Sequence, residues 1–180
     1  MKSKIILSLL FINFLIHSVE LPHPKNDCLY TEFDSYRYAK FLKKPIAGTG
    51  YIVMDGKDRF VFIQTKPLHV EIRKNGDRVM YKKGNGMAVD VSNMAMDMFF
   101  LFEEQDTLNA NYDISKNAIS DKDEYIVTPK DIINQNLKYI RIIGKLDVFE
   151  SVELFFNDES KILYIFKNTI TGSKPDEKYF

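Results

Sequence analysis

Few side chains in this chain can do chemistry. Its 180 residues hold three histidines and one cysteine. His17 falls inside an apolar N-terminal run, and His23 sits between Pro22 and Pro24. His69 has Glu71 two positions on, which in a strand places both side chains on one face. Such a pair is half of a metal site or the core of a proton relay, so a hydrolase or metal enzyme using His69 is one candidate. The plainer reading is a solvated pair, because no further partner accompanies it. The sequence contains no Gly-x-Ser-x-Gly nucleophile elbow, no phosphate-binding glycine loop and no metal-spaced Cys/His cluster. The expectation is therefore a protein that is not an enzyme and that needs no metal or cofactor. Cys28 has no second cysteine to pair with, which excludes an internal disulfide and a Cys-rich zinc site. Lys25, Asn26 and Asp27 precede it where a lipobox would carry small or aliphatic residues, so Cys28 reads as a packing thiol.

The remaining signals concern burial. An apolar fraction of 45% with 28% charged residues is a globular composition of single-domain length. Basic and acidic residues balance at 25 each, which gives no electrostatic basis for binding nucleic acid. Lys40, Lys43 and Lys44 form a small basic cluster suited to anionic lipid or a transporter, but a solvated turn is the plainer reading. Fourteen Phe and ten Tyr must be buried or used.

Lys2 and Lys4 precede about a dozen apolar residues that end near Ser18, the pattern of a secretory signal peptide. The run is short of the roughly 20 residues of a comfortable membrane span. We therefore expect residues 1–18 to be a signal peptide, cleaved at Ser18–Val19, and residues 19–180 to be one exported domain; an uncleaved anchor is the alternative.

From Ala47 onward, short β-prone runs alternate with turn signals. They cover Gly50–Met54, Arg59–Thr65, Leu68–Arg73, Arg78–Lys82, Tyr112–Ser115, Tyr125–Thr128, Leu137–Ile143, Val148–Phe156 and Lys161–Ile170. Asn75-Gly76 between two runs predicts a tight hairpin in which both central residues take positive φ. No helices alternate with the runs, so the sheet is an antiparallel meander. One helix is expected from Ser92 to about Leu108, capped by Ser92 or Asn93. Met94, Met98, Leu101, Phe102 and Gln105 share one of its faces.

Several runs are apolar on both faces. Phe60 and Phe62 oppose Val61 and Ile63; Ile162, Tyr164 and Phe166 oppose Leu163 and Ile165; Leu137, Tyr139 and Ile143 oppose Ile140 and Ile142. A sheet with two apolar faces needs two covers. Either two sheets form a sandwich, or one curved sheet encloses a hydrophobic hollow closed by the helix. Met87, Met94, Met96 and Met98 crowd into the only candidate cover. Methionines of this kind fill core gaps, and they also suit shape-tolerant contact with acyl chains.

The ordered series of runs resembles the LolA-like lipoprotein carriers. Phe33 to Ile46 is similar to their opening strand and Leu-x-x-Pro turn, and Gly48 and Gly50 sit where a glycine is expected. Arg59–Pro67 resembles their aromatic-x-aromatic…Thr-x-Pro strand, continuing through Ile72, Asn75-Gly76 and Tyr81. Tyr125–Lys130 looks like the strand ending in Pro-Lys, and Phe149–Leu154 and Ile162–Phe166 follow in order. The resemblance spans roughly residues 30–180.

It implies a mainly β fold, an unclosed antiparallel barrel of about 10–11 strands with a helical lid. It further implies a monomeric periplasmic chaperone that takes lipoprotein acyl chains from an inner-membrane ABC transporter to the outer membrane and an acceptor there. The expected acyl-chain lining is Phe60, Phe62, Met80, Met94, Met98, Leu101, Phe102, Tyr139 and Phe166. Two departures stand out. The family's lid-latching Arg-Pro corresponds by spacing to Gly56 and Lys57, so the latch does not carry over, and Arg59 does not match it. Only about a dozen residues separate the expected cleavage point from the first strand, too few for the family's N-terminal helix, which implies a smaller lid. A LolB-like receptor or another carrier of apolar ligands is the alternative, but a receptor would need the lipid anchor that Cys28 lacks.

Overall fold

The computed structural model describes residues 19–22, 27–92, 105–130, 136–145 and 148–180. The expected signal peptide lies outside the described residues, as do Met94, Met98, Leu101 and Phe102.

Eleven strands make one antiparallel sheet. They are β1 (Cys28–Tyr38), β2 (Ile46–Asp55), β3 (Arg59–Lys66), β4 (Val70–Asn75), β5 (Arg78–Lys83), β6 (Val89–Asp90), β7 (Tyr112–Ile119), β8 (Lys122–Pro129), β9 (Leu137–Lys145), β10 (Val148–Phe156) and β11 (Lys161–Thr171). Helix α1 (Gln105–Asn111) lies between β6 and β7, and a single 3-10 turn, Glu177–Tyr179, follows β11. The spatial order is β6-β5-β4-β3-β2-β1-β11-β10-β9-β8-β7. The first and last strands thus pair at the centre, and two meanders run outward from them. The edges, β6 and β7, do not pair with each other, so the barrel is unclosed.

Local sequence explains most of the breaks. Pro67 cannot donate to a ladder, and β3 ends one residue before it. The β4–β5 hairpin closes at Gly76-Asp77, because Asn75 stays in the strand opposite Arg78. Only Gly76 takes positive φ there, at +57°, so the turn sits one residue later than Asn75-Gly76 predicted. The expected opening strand and its Leu-x-x-Pro turn appear as β1 and the turn at residues 39–45, and the strand extends back to Cys28. The two-residue β6 had no pattern to announce it. The expected helix from Ser92 appears among the described residues only as α1. Ser92 itself accepts a hydrogen bond from the Val79 amide at 2.9 Å and donates to Asp90 at 2.6 Å, which ties it to the sheet edge.

The core follows from the strand alternation. One cluster covers the inner face from Ile72 on β4, through Phe62, Ile52, Phe33, Tyr164, Val152 and Ile142, to Tyr125 and Val127 on β8. Among the described residues all eleven strands belong to this single sheet, and the apolar cluster follows one face of it across eight neighbouring strands. This decides between the two covers considered above: one curved sheet formed, not a sandwich. Leu108 of α1 is buried in the same cluster, so the helix caps the inner face.

Gly50 makes the tightest approach. It pairs with Phe33, and a Cβ placed on it would lie 2.1 Å from the Ile63 carbonyl oxygen and 2.5 Å from Phe33 Cζ. Glycine is required here by closeness, not by backbone angle. Gly50→Ala is expected to cost about 1–3 kcal/mol, because the ring must move off its rotamer or β2 must shift. Urea unfolding monitored by circular dichroism measures it, and an unchanged midpoint would contradict the packing described.

Candidate functional site

The inner face is the candidate site. Phe33 stacks on Phe62 with ring centroids 5.1 Å apart, and Tyr164 meets Phe33 edge-on at 5.4 Å. Phe33, Ile52, Ile140, Ile142 and Val152 are fully enclosed around them. Phe166 stands opposite Phe33 in the ladder and packs against the cluster while only half-buried. Val79, Tyr81, Ile114, Phe156 and Ile162 likewise border the cluster with part of their surface exposed. The face therefore combines a closed floor of fully enclosed side chains with an apolar, partly open margin that includes Phe166 and Ile162 of β11.

Of the nine expected lining residues, the fold brings three together here: Phe60, Phe62 and Phe166. Met80 and Tyr139 are corrections. Met80 pairs with Arg73, which pairs with Val61, so it belongs to the outer face. Tyr139 stacks on Phe155 at 4.3 Å, on the side where Arg141 meets Glu124 at 2.6 Å and Lys161 meets Glu153 at 2.7 Å. Leu137 does reach the inner face, because the β9–β10 register shifts between Phe155 and Phe156 and carries it there beside Ile140 and Ile142. The side chains missed were Phe33, Ile52, Ile72 and Tyr164. The ladder partners of Phe62 are Ile52 and Ile72, so fixing one strand's facing would have fixed theirs.

The outer face of β1–β4 is covered by the chain's own C-terminal segment. Val53, Val61 and Ile63 lie beneath Tyr30, Tyr51, Tyr179 and Phe180. Arg59 forks onto Glu177 at 2.7 and 3.1 Å, and its guanidinium lies 3.9 Å over the Phe180 ring. Arg73 donates to the carbonyls of Tyr179 and Phe180 at 3.1 and 2.8 Å. A cleft of about 360 Å³ opens beside this tail between Arg59, Arg73, Arg78, Met80 and Phe180. Arg59 is thus a latch, but for the tail on the outer face. The positions where a lid latch was sought, Gly56 and Lys57, lie in the β2–β3 turn.

Burial among these rings, then Tyr179 and Glu32, pushes the Tyr30 phenol up to about 12. A raised phenol favours the fold fully below its ordinary value near 10, and that contribution is lost as pH rises from there toward 12. In a spectrophotometric titration Tyr30 should ionise near pH 12, and Tyr179→Phe should bring it down. Ionisation with the bulk of the tyrosines would refute the cluster.

His69 does not build a site. Its Nε2 is 3.5 Å from Glu71, but Glu71 is also bonded to Arg73. The Arg73 hydrogen bond holds the Glu71 carboxyl below the usual carboxylate range, which makes it a weaker base. No group of three or more His, Cys, Asp or Glu among the described residues is placed to hold a metal. The Cys28 thiol lies 3.9 Å from an Asp55 carboxylate oxygen at the start of β1.

These features define a class: an unclosed antiparallel barrel with an apolar inner face and a helix against it. No protein-family model matches the sequence, and no curated protein matches it. Solved structures do. MucB is similar with a TM-score of 0.51 and 14% identity, over 86% of this chain and 57% of that one. The LolA superfamily protein NE2245 from Nitrosomonas europaea is similar with a TM-score of 0.49 and 8% identity, over 88% and 92% of the two chains. The Pseudomonas aeruginosa MucA/MucB complex is similar with a TM-score of 0.49 and 14% identity, over 84% and 54%. This chain therefore spans little more than half of MucB. What is shared with MucB is the fold.

Proposed function

We propose that the protein is a carrier of acyl chains, held on the inner face of the open barrel. The observation that carries this reading is the apolar face itself, which runs from β4 to β8 in a sheet that never closes. A domain needing only a packed core gains nothing from leaving its barrel open with half-buried Phe166, Ile162 and Ile114 along the margin. Each methylene laid against such a face contributes on the order of 0.8 kcal/mol, so a fatty tail is held without any polar anchor. Release requires a removable cover, and α1, whose Leu108 is buried in the inner-face cluster, is placed to supply one.

The finer reading is a lipoprotein carrier. Residues 1–18 act as a cleaved export signal, and the mature protein works as a monomer in the periplasm. It takes lipoproteins from an inner-membrane ABC transporter to an outer-membrane acceptor. It uses no cofactor and catalyses no reaction. The polar alternatives are poor, since Glu71 is engaged by Arg73. Native mass spectrometry of the protein taken directly from the envelope tests the carrier. Co-purifying acylated lipoprotein is the expected result, and it should fall at least tenfold in Phe166→Asp, which charges the margin of the face and spares its floor. Met98→Glu and Leu101→Glu should behave alike. Full cargo in all three variants, or no acylated species in the parent, would remove the proposal.

A further inference from the structure

The two ends of the sheet differ. The register places the ends of β1, β3 and β5 beside the starts of β2, β4, β6 and β11. The connections at residues 39–45, 67–69 and 84–88 therefore emerge at the same end. Among the described residues, five of the eight large apolar side chains that stand exposed lie in or beside them: Phe41, Ile46, Leu68, Met87 and Val89. Phe41 is 86% exposed and Met87 is 90% exposed, so these side chains add nothing to the fold. Lys40, Lys43, Lys44, Lys66 and Lys83 sit among them, all exposed, and none of the three connections contains an acidic residue. Glu159 of the adjoining β10–β11 turn reaches Lys40 at 3.1 Å. The described turns at the far end of the sheet instead carry Asp58, Asp77 and Asp121 with Lys57, and Arg59, Lys74, Arg78 and Lys122 flank them as Lys66 and Lys83 flank the near ones.

We propose that this end docks on the surface of an anionic lipid bilayer, with Phe41, Leu68 and Met87 entering the interface and the lysines meeting lipid phosphates. Two observations that arise separately converge on it. Protruding apolar tips seek the acyl boundary, and a concentration of positive charge, of which Lys40 alone is paired with Glu159, seeks an anionic surface. An acidic protein would satisfy the lysines but would leave three separate tips, spread over roughly 20 Å of sheet edge, without a matching series of pockets. A membrane surface accepts them at any spacing. Either signal alone gives marginal binding, and together they give reversible attachment. The chain needs no spanning helix for this, and the strands would stand across the bilayer plane, with this end of the open barrel toward the lipid. The proposal goes beyond the carrier reading and does not require it, because the tips lie outside the inner-face cluster.

Co-sedimentation of the mature protein with vesicles of phosphatidylcholine alone, and of phosphatidylcholine with 30% phosphatidylglycerol, tests it. Binding is expected only with the anionic vesicles, and it should weaken with salt. Replacing Lys43, Lys44 and Lys83 by Gln should lower partitioning roughly hundredfold, at about fivefold per lysine. Phe41→Asp with Met87→Asp should abolish it, with circular dichroism unchanged because both sites are exposed. Equal binding to neutral vesicles, binding untouched by these variants, or no binding at all would each overturn the proposal. So would capture of an acidic protein through the same lysines in the absence of any vesicle binding. Phe166→Asp should leave vesicle binding intact, so failure of the carrier reading and failure of this one are told apart.

Discussion

Phe33→Ala should lower the stability of the protein by about 3–5 kcal/mol, the usual cost of removing a fully enclosed phenylalanine. Three features place it at the upper end. Phe33 is wholly buried, it sits at the centre of β1, and β1 is the strand on which both meanders converge. Its ring also contacts Phe62 and Tyr164, so truncation strips contacts from both halves of the barrel at once. Gly50 cannot refill the gap, since it has no side chain to move. The void would open on the inner face, beside the half-buried Phe166. The variant should therefore unfold at much lower urea yet take up an apolar fluorescent probe more readily than the parent. Loss of stability with no gain in probe uptake would mean that the inner face is only a core. Phe60→Ala serves as the comparison, because it sits in the same cluster farther from the central strand pair.

The carrier reading depends on this distinction between floor and margin. A face packed to native density along its whole length would bind nothing, since a ligand would have to displace side chains that already fill it. Part of the face is filled in this way, with Ile52, Ile140, Ile142, Val152 and Leu154 fully enclosed. Beside them, Phe166 and Ile162 on β11 and Ile114 on β7 keep part of their surface in contact with solvent. Ligand contact is therefore expected at Phe166, Ile162 and Ile114 before Phe62, and substitutions there should change binding more than folding.

Much of this was legible in the residues, and the misses have a common cause. Alternation within a strand separates its two faces but does not say which is inside. Phe60 and Phe62 stand on the inner face, but nothing in their strand's alternation told that face from the one carrying Val61 and Ile63. Met80 and Tyr139 were assigned to the wrong face, since a single position of register reverses a strand. Leu137 crossed to the inner side through a bulge that its sequence does not encode, because the irregularity arises in the pairing with β10. The pairing of β1 with β11 is a contact between chain segments more than a hundred residues apart, beyond the reach of local pattern. The tail over the outer face was missed for a similar reason. Tyr179 and Phe180 follow a polar stretch, and their value lies in the apolar strip of Val53, Val61 and Ile63 that they cover.

Deleting residues 173–180 should therefore destabilise the protein by about 2–4 kcal/mol, mostly through uncovering that strip. Two aromatic side chains, each worth about 1.5–3 kcal/mol when fully buried, leave the surface while only half-buried. The ion pairs add less. Glu177 is 65% exposed, and exposed pairs of this kind contribute little because solvent screens them, so Arg59→Ala should cost only a fraction of the deletion. Acid should act in the same direction. The Arg59 hydrogen bond holds the Glu177 carboxyl below its ordinary value of 4.5. Its contribution is then complete above that value and is lost as pH falls through the lower folded one. Urea titration of the parent, the deletion and Arg59→Ala gives the ranking, with binding of a hydrophobic dye reporting the exposed strip. If Arg59→Ala cost as much as the whole deletion, the latch would outweigh the aromatic cover and the order of these two terms would have to be reversed.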